Sequence, residues 1–296
     1  MKLSCCFALL LFIGVPSLAQ SRPTNRTGPL VIVGGGGTPS AVLDRALSLA
    51  GGKDKARVLV FAQASRLPDS GEKNRLMWAG RGAKNIGVAD LGKSQKTLIA
   101  LKNCDLIWFS GGSQNRLMTA LRKANLLDAI RAANTRGAVV GGTSAGAAVM
   151  STQMMTGQAA TKAVLVNATE LAAGLGLALN TIVDQHFHAR RRFNRLLSAV
   201  AQNPLCLGLG IDERTAVIWR SREGRLEVLG EGSVAILDAK GASRRGETGK
   251  PLHVFGLRFH NLVSGDQFAL ATRELLSPTP AKEDPTKSPS GKSKKI

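Results

Sequence analysis

One short stretch of this 296-residue chain has the residue types and spacing of a serine nucleophile. An apolar run over residues 138–140 leads into Gly142-Thr143-Ser144-Ala145-Gly146. Small residues on both sides of a serine let the chain turn sharply from a strand into a helix and expose the hydroxyl, as in the G-x-S-x-G nucleophile elbow. Free amides at the start of the next helix suit an oxyanion. The pattern predicts a nucleophilic Ser144, and a glycine-rich turn capped by this serine is the alternative.

A serine nucleophile needs a base, and the chain has four histidines. His186 follows the apolar residues 181–183 closely, so we expect it at the end of a strand. His188 is the rival base and shares the same face if the segment is extended. His253 and His260 lie in a later strand region, where surface or packing roles are more common.

A base of this kind is usually held by an acid, and Glu213 closely follows the predicted strand 207–211. Asp212 and Asp184 are the rival acids. The order serine, histidine, glutamate argues against an α/β-hydrolase, in which the acid precedes the histidine. It also differs from the orders in chymotrypsin and subtilisin.

The elements that must position these residues alternate between strand and helix along the first half of the chain. Strands are predicted at 30–33, 58–62, 85–90, 105–109 and 138–142, and helices at 38–49, 96–102 and 116–133. Later strands are predicted at 181–183, 207–211, 215–219, 226–229, 233–237, 253–260 and 268–270. Near-continuous apolar strands are typical of a parallel sheet buried on both faces. The fold class is therefore α/β, with a three-layer, mostly parallel central sheet flanked by helices and a small antiparallel C-terminal β region.

Residues 34–37 are four consecutive glycines between a predicted strand and a helix. Neither a full G-x-G-x-x-G context nor Gly-Lys-Ser/Thr is present, so a nucleotide site is not favoured. We expect a tight turn in which the backbone passes close to the active cleft.

The N-terminus predicts export. Residues 1–19 combine a lysine, an apolar run and Ser17-Leu18-Ala19, which is typical of a signal peptide cleaved near Ala19. A membrane anchor is less favoured, because the run is too short and no later segment reaches about 18 apolar residues. We expect a secreted or periplasmic protein with a polar leader at 20–28, a single α/β domain at 29–275 and a disordered basic tail at 276–296.

The formal net charge is +20, from 40 Lys and Arg against 20 Asp and Glu. This charge favours acidic partners: polyanions, anionic surfaces or a substrate that bears carboxylates. Nucleic acid is not expected, because the chain has no tyrosine and only 4% aromatic residues for base stacking.

Two cysteines, Cys104 and Cys206, remain after signal cleavage. Export permits a disulfide between them, although two buried free thiols are the preferred interpretation. No Cys-x-x-Cys remains for a metal, and no cofactor is expected. The sequence does not decide the oligomeric state, so a homodimer stays open.

Three separated motifs occur in one order. They are Gly141-Gly142-Thr143-Ser144-Ala145-Gly146-Ala147, then Asp184-Gln185-His186-Phe187 with Arg190, Arg192 and Arg195, then Gly208-Leu209-Gly210-Ile211-Asp212-Glu213 with Thr215-Ala216. Together they resemble the cyanophycinase family of serine peptidases, which is related to the aspartyl dipeptidases. The resemblance spans residues 31–273. It implies a class I glutamine amidotransferase-like fold, with nucleophile Ser144, base His186 and acid Glu213.

The resemblance also implies binding residues. The oxyanion hole resembles one made from the backbone amides of Gly111 or Gly112 and Ala145. The positions that match the family's substrate pocket are Gln114, Asp184, Gln185, Arg190, Arg192 and Arg195. Members of the family release β-aspartyl-arginine dipeptides from the end of cyanophycin, a polyaspartate backbone with arginine on each side-chain carboxyl. Guanidinium groups bind carboxylates in a two-pronged geometry, although most arginine runs form solvated basic faces.

Two departures from the family pattern bear on the substrate. This chain has Gly111-Gly112-Ser113-Gln114 where Gly-Gly-Asp-Gln is common, and Ala62-Gln63-Ala64-Ser65 where Pro-Thr-Ala-Ser is usual. Both leave the three presumed catalytic residues in place. We therefore expect a secreted serine exopeptidase acting on cyanophycin. The alternatives are an aspartyl or isoaspartyl dipeptidase acting on short acidic peptides and, in another class, an inactive basic protein that binds polyanions.

Overall fold

The computed structural model describes residues 27–157 and 163–276. The expected signal peptide at 1–19 lies outside these residues, as do most of the leader at 20–28 and all but the first residue of the tail at 276–296. Among the helices in the described part of the chain, none is long and apolar enough to cross a bilayer.

Five neighbouring parallel strands form the first half of a nine-stranded central sheet. They are β1 (Leu30–Val33), β2 (Arg57–Phe61), β3 (Asn85–Val88), β4 (Leu106–Phe109) and β5 (Val139–Thr143), in the spatial order β1-β5-β4-β2-β3. Alternate residues of β1, β2, β4 and β5 enter opposite cores: Val31 and Val33 of β1 join one core, and Leu30 and Ile32 the other. This two-sided burial explains the near-continuous apolar runs in the sequence.

Helices cover both faces of the central sheet. They are α1 (Ser40–Leu49), α2 (Ser70–Gly80), α3 (Ser94–Asn103), α4 (Gln114–Lys123), α5 (Leu127–Arg136), α6 (Ala145–Ala148) and α7 (Phe193–Gln202), with 3₁₀ turns at Leu91–Lys93 and Ser221–Glu223. Buried residues of α1 and α2 pack in one core, and those of α3 to α6 pack in the other. The expected layers of helix, sheet and helix are therefore present.

One helix prediction was wrong, and one helix was missed. The single helix predicted at 116–133 is two helices, α4 and α5, separated near Asn125, whose φ of 55° ends the first one. The polar segment before residue 84 contains α2, for which no helix was predicted. Only Ser70 and Trp78 of α2 are buried, so the sequence lacks the apolar stripe that normally reveals a helix.

The remaining strands continue the central sheet and build a second one. They are β6 (Gln153–Met155), β7 (Leu171–Ala173), β8 (Thr181–Gln185), β9 (Leu207–Ile211), β10 (Thr215–Arg220), β11 (Arg225–Gly230), β12 (Ser233–Asp238), β13 (Ser243–Arg245), β14 (His253–Phe255), β15 (Arg258–Val263), β16 (Gln267–Ala269) and β17 (Glu274–Leu276). Strands β10, β11, β16 and β17 extend the central sheet antiparallel from β1. The second sheet has the order β15-β12-β9-β8, with β8 and β9 parallel. Strands β13 and β14, and likewise β6 and β7, form separate pairs.

Most of the antiparallel C-terminal strands therefore belong to the two larger sheets, and only β13 and β14 form a small antiparallel region of their own. The predicted strand at 253–260 is two strands, β14 and β15, with Gly256 between them at a φ of 78°. Strand β17 also reaches Leu276, one residue beyond the predicted end of the domain at 275.

The second sheet stacks on one side of the central sheet. One face of it, including Val183 of β8 and Ile211 of β9, shares a core with α4, α5 and the central strands. Its other face, including Ile182, packs against Leu196 and Val200 of α7. This stacking brings the ends of β8 and β9 beside the end of β5.

The two cysteines within the described residues, Cys104 and Cys206, are free thiols. Cys104 is buried and Cys206 is half-buried. Burial raises the pKa of Cys104 to about 11, and burial also raises the pKa of Cys206. Both thiols are therefore protonated at neutral pH.

Candidate active site

Ser144 occupies a sharp turn between β5 and α6. Its backbone has φ 54° and ψ −113°, a region that is strained for a residue with a side chain, and its amide donates to the Val33 carbonyl over 3.0 Å. A Cβ built on Gly142 would lie 2.7 Å from the carbonyl carbon of Gly146, and one built on Gly146 would lie 2.3 Å from the Phe109 oxygen. The two glycines of the elbow are therefore required for the turn to close beside β4.

Three of the predicted residues meet in one chain of hydrogen bonds. The Ser144 Oγ and the His186 Nε2 are 2.9 Å apart, and the His186 Nδ1 and the Glu213 Oε1 are 2.6 Å apart. The His186 side chain is only 11% exposed, whereas that of Glu213 is 43% exposed. Ser144 follows β5, His186 follows β8 and Glu213 follows β9, so each residue lies at the carboxyl end of a strand. The arrangement can transfer a proton from a serine hydroxyl to an imidazole that a carboxylate orients.

The four-glycine loop after β1 forms a wall of this site. A Cβ on Gly35 would lie 2.4 Å from the His186 ring, and one on Gly36 would lie 2.5 Å from the Glu213 Cβ. The His186 amide donates to the Gly34 carbonyl over 2.7 Å, which ties the loop to the histidine. The backbone therefore passes close to these side chains, as the sequence predicted.

The surroundings of His186 favour its neutral form. Burial lowers the pKa of His186 below its ordinary value, although the hydrogen bond to Glu213 opposes this effect. The positive charges of Arg190 and Arg192 lower it further. A neutral imidazole is the form that can accept the serine proton, so His186 can act as a base at neutral pH.

The rival base and one rival acid form a second pair beside the first. The His188 Nδ1 lies 2.7 Å from the Asp212 Oδ1, and the His188 side chain is 61% exposed. Asp212 also accepts hydrogen bonds from Ser233, a residue that sequence reasoning missed because no motif contains it. The other two histidines, His253 and His260, lie on β14 and β15.

Two of the predicted oxyanion donors, Gly111 and Ala145, lie next to Ser144. A Cβ built on Gly111 would lie 3.5 Å from the Ser144 Cβ. Among the described residues, the amides of Gly111 and Gly112 have no backbone acceptor. Ala145 is the first residue of α6, so its amide has no acceptor within that helix. These donors are therefore available to a developing oxyanion.

Ser113 and Gln114 have structural partners at the start of α4. The Ser113 Oγ accepts a hydrogen bond from the Arg116 amide over 3.3 Å, so this serine caps the helix. Serine and aspartate are both favoured caps, so Ser113 keeps this role at the position where the resembled family commonly has aspartate. The buried Gln114 donates from Nε2 to the Met155 carbonyl over 2.8 Å.

The residues predicted to bind substrate on either side of His186 divide into a buried group and one exposed arginine. Asp184 and Arg195 are 1% and 3% exposed, and the Arg195 Nε donates to the Asp184 Oδ2 over 2.7 Å, with a second bond from Nη2 to Oδ1. Arg192 donates to the same carboxylate over 3.4 Å and to the buried Gln185. Burial lowers the pKa of Arg192 to about 10.

Arg190 differs from the other two arginines, because it is exposed and has no ion pair among the described residues. The substrate-binding role expected for Arg190, Arg192 and Arg195 stays a prediction, since only Arg190 presents its side chain to solvent without an ion pair among the described residues. Arg195 lies on the buried face of α7 and binds Asp184, where neither side chain reaches solvent. Arg190 has the one guanidinium of the three that is free to meet a ligand.

Comparisons with known proteins identify the family of this chain. Residues 30–226 match the sequence profile of peptidase family S51. The chain is 37% identical over 236 residues to the cyanophycinase of Trichormus variabilis, covering 76% of this chain and 79% of that one. It is 36% identical over 237 residues to the cyanophycinase of Synechococcus elongatus, covering 76% and 73%.

A solved structure is similar in fold. It is the crystal structure of a peptidase from an acI-B1 Actinobacterium, with a TM-score of 0.62 and 21% identity, covering 83% of this chain and 98% of that one. The likeness supports the mixed α/β architecture with its large central sheet. The family expected from the three motifs is confirmed by the profile and by the two relatives. The chain belongs to peptidase family S51 and is a serine-type peptidase.

Proposed function

We propose that this protein is an exported exopeptidase that hydrolyses the polyaspartate backbone of cyanophycin and releases β-Asp-Arg dipeptides through an acyl-enzyme. The observation that carries the proposal is the hydrogen-bonded chain from Ser144 through His186 to Glu213. Its relatives at 36–37% identity are cyanophycinases, which supports the choice of substrate.

In the first step, the Ser144 Oγ attacks the scissile carbonyl carbon while the His186 Nε2 accepts the hydroxyl proton. Glu213 accepts a hydrogen bond from the Nδ1–H of His186 and stabilises the imidazolium that forms. The amides of Ala145 and of Gly111 or Gly112 donate to the oxyanion. Collapse of the tetrahedral intermediate breaks the C–N bond, and His186 gives its proton to the leaving amine.

In the second step, water hydrolyses the ester on Ser144. His186 removes a proton from this water as the water attacks the ester carbonyl. The same amides stabilise the second oxyanion, and His186 returns a proton to the Ser144 Oγ as the ester bond breaks. The free carboxylate product then leaves.

Substrate recognition rests on Arg190 in this proposal. Its guanidinium is exposed one turn after His186 and can bind a carboxylate with two hydrogen bonds. Arg192 and Arg195 support the turn from inside through Asp184 and Gln185. The net charge of +20 adds long-range attraction for an acidic substrate.

The fold and the location of the enzyme are parts of the same proposal. The resemblance to the cyanophycinase family implies a class I glutamine amidotransferase-like architecture, which we propose for one peptidase domain at 29–275. The apolar N-terminal segment at 1–19 supports export to the periplasm or the medium. Mass spectrometry of the mature N-terminus tests the cleavage near Ala19.

The experiment that tests the activity offers purified protein two kinds of substrate. Cyanophycin granules are compared with Asp-Xaa and β-Asp-Xaa dipeptides, with Ser144→Ala as the control. Release of β-Asp-Arg from the granules by the wild type alone supports the proposal. Hydrolysis of the dipeptides without release from granules would replace it with an aspartyl or isoaspartyl dipeptidase.

A further inference from the structure

Asp212 precedes the catalytic acid and lies at the centre of a second set of hydrogen bonds. Its Oδ1 accepts from the His188 amide over 3.1 Å and from the His188 Nδ1 over 2.7 Å. Its Oδ2 accepts from the Ser233 amide over 3.1 Å and from the Ser233 Oγ over 2.8 Å. Each carboxylate oxygen therefore accepts one backbone and one side-chain hydrogen bond.

These four bonds join three segments of the site. Asp212 follows β9, Ser233 begins β12, and His188 lies in the turn between β8 and α7. That turn also contains His186 and Arg190, whose backbones are linked by a 3.0 Å bond from the Arg190 amide to the His186 carbonyl. The carboxylate thus links the turn that carries the base to the strand end that carries the acid.

The hydrogen bonds require an ionised carboxylate. Burial alone would raise the pKa of Asp212, but the bonds from His188 and Ser233 outweigh burial and lower the pKa below its ordinary value. Asp212 is therefore charged at neutral pH and can accept all four hydrogen bonds.

The turn needs such support, because its backbone is strained. His186 has a φ of 51° and Arg191 a φ of 52°, a left-handed conformation that is unfavourable for residues with long side chains. The surrounding contacts must hold a strained residue in place, since it would otherwise relax to a common conformation. Two contacts hold the backbone of this turn. The Gly34 carbonyl accepts from the His186 amide, and Asp212 accepts from the His188 amide two residues later.

We propose that Asp212 is a positioning residue of the active site, which holds the His186–Arg190 turn against the strand end of Glu213 through His188 and Ser233. Asp212 is not in contact with Ser144 and takes no part in proton transfer. The proposal rests on the proposed function, because it assumes that Ser144 and His186 carry out the chemistry. It predicts that, without the Asp212 carboxylate, His186 is no longer held at hydrogen-bonding distance from Ser144.

The test compares Asp212→Asn with wild type in two assays. Asparagine has the same shape, but its NH₂ group cannot accept, so the amide of either His188 or Ser233 loses its acceptor. We expect kcat on cyanophycin and the rate at which a fluorophosphonate labels Ser144 to fall together by about tenfold or more, since small displacements of catalytic groups have effects of this size. Asp44→Asn is the matched control: Asp44 binds Arg81 on the surface, and both rates should stay unchanged.

Two milder variants separate positioning from a general loss of folding. His188→Ala removes one side-chain donor and Ser233→Ala another, while both backbone amides remain. Each should lower the labelling rate by about threefold. The double variant Asp212→Asn/His188→Ala should be no slower than Asp212→Asn alone, because both changes act on the same contact.

Each outcome decides the question. Labelling of Asp212→Asn at the wild-type rate would overturn the proposal. If this variant is unfolded at the assay temperature, wild-type labelling of both alanine variants would overturn it, and slower labelling of both would support it. A wild-type protein that is labelled at Ser144 but leaves cyanophycin intact would contradict the proposed substrate, while the labelling comparison would still test Asp212.

Discussion

Two histidine–carboxylate pairs lie side by side in this molecule and have almost the same geometry. His186 and Glu213 are 2.6 Å apart, and His188 and Asp212 are 2.7 Å apart. The first pair has Ser144 at 2.9 Å on its far side, and its imidazole is 11% exposed. The imidazole of the second pair is 61% exposed, and its carboxylate also binds the backbone. A short contact between a histidine and an acid is therefore not enough to make a catalytic base.

The difference lies in what surrounds each imidazole. His186 is enclosed by the glycine loop and the elbow, and burial lowers its pKa. In such an enclosed site, charges that develop during reaction interact more strongly than they do in water. His188 faces solvent, where an imidazole gains no such advantage. His186 and His188 are two residues apart in one turn, so their positions in the sequence alone do not distinguish these environments.

The largest expected effect separates the two histidines. His186→Ala removes the group that accepts the Ser144 proton, so kcat should fall by about 10⁶-fold, as it does when the histidine of a serine triad is lost. His188→Ala should lower kcat by less than tenfold, because it weakens only a positioning contact. Initial rates with a common substrate measure both variants. Comparable losses in the two variants would contradict the assignment of the base.

The second effect separates the two acids. Glu213→Gln keeps the size of the side chain but removes the charge that stabilises the imidazolium, and kcat should fall by about 10⁴-fold. Asp212→Asn should lower it by about tenfold. The rank order of kcat for the two variants is the measurement. Asp212→Asn as the more damaged variant would reverse the roles of the acids.

The third effect separates two arginines of the same segment. Arg190→Ala removes an exposed guanidinium and should raise KM on cyanophycin by about tenfold or more, with little change in thermal unfolding. Arg195→Ala leaves the buried Asp184 without its closest partner and should lower the free energy of unfolding by about 3–5 kcal/mol. Denaturant unfolding and steady-state kinetics on both variants measure the contrast. A stable Arg195→Ala with a raised KM would restore Arg195 as a substrate ligand.

The smallest effect is a shift in pH dependence. Activity requires neutral His186, so it should fall as the pH drops through the pKa of this residue, with a midpoint below its ordinary 6.5. Arg190 helps to keep this pKa low, so Arg190→Gln should move the acid limb of kcat/KM to higher pH. This should be the smallest of the effects, since an exposed charge is screened. A shift to lower pH would show that the sign of this coupling is wrong.

Local patterns in the sequence were sufficient to predict the elbow and the parallel strands. Glycine is required at positions 142 and 146 because the backbone is crowded inside the turn at Ser144. The five residues 142–146 are therefore enough to predict the elbow. The continuous apolar strands β1, β2, β4 and β5 follow from burial on both faces. The chain order of Ser144, His186 and Glu213 then narrowed the choice of family.

Features that depend on distant pairing could not be predicted in this way. Nothing local shows that β8 and β9 form a second sheet, since both are short apolar runs like the central strands. The inward orientation of Arg195 depends on how α7 packs on that sheet, and the Asp212–Ser233 contact joins residues 21 positions apart. Helix α2 was missed because it buries few side chains; Trp78 is its one buried apolar residue.

The most direct test of the account is covalent labelling of Ser144 with a fluorophosphonate, followed by peptide mass spectrometry of wild type, His186→Ala and His188→Ala. We expect one adduct, on Ser144, in the wild type. His188→Ala should form the same adduct at a rate within tenfold of the wild-type rate, and His186→Ala should form almost none. Equal labelling of Ser144 with and without His186, or an adduct on another serine, would contradict it.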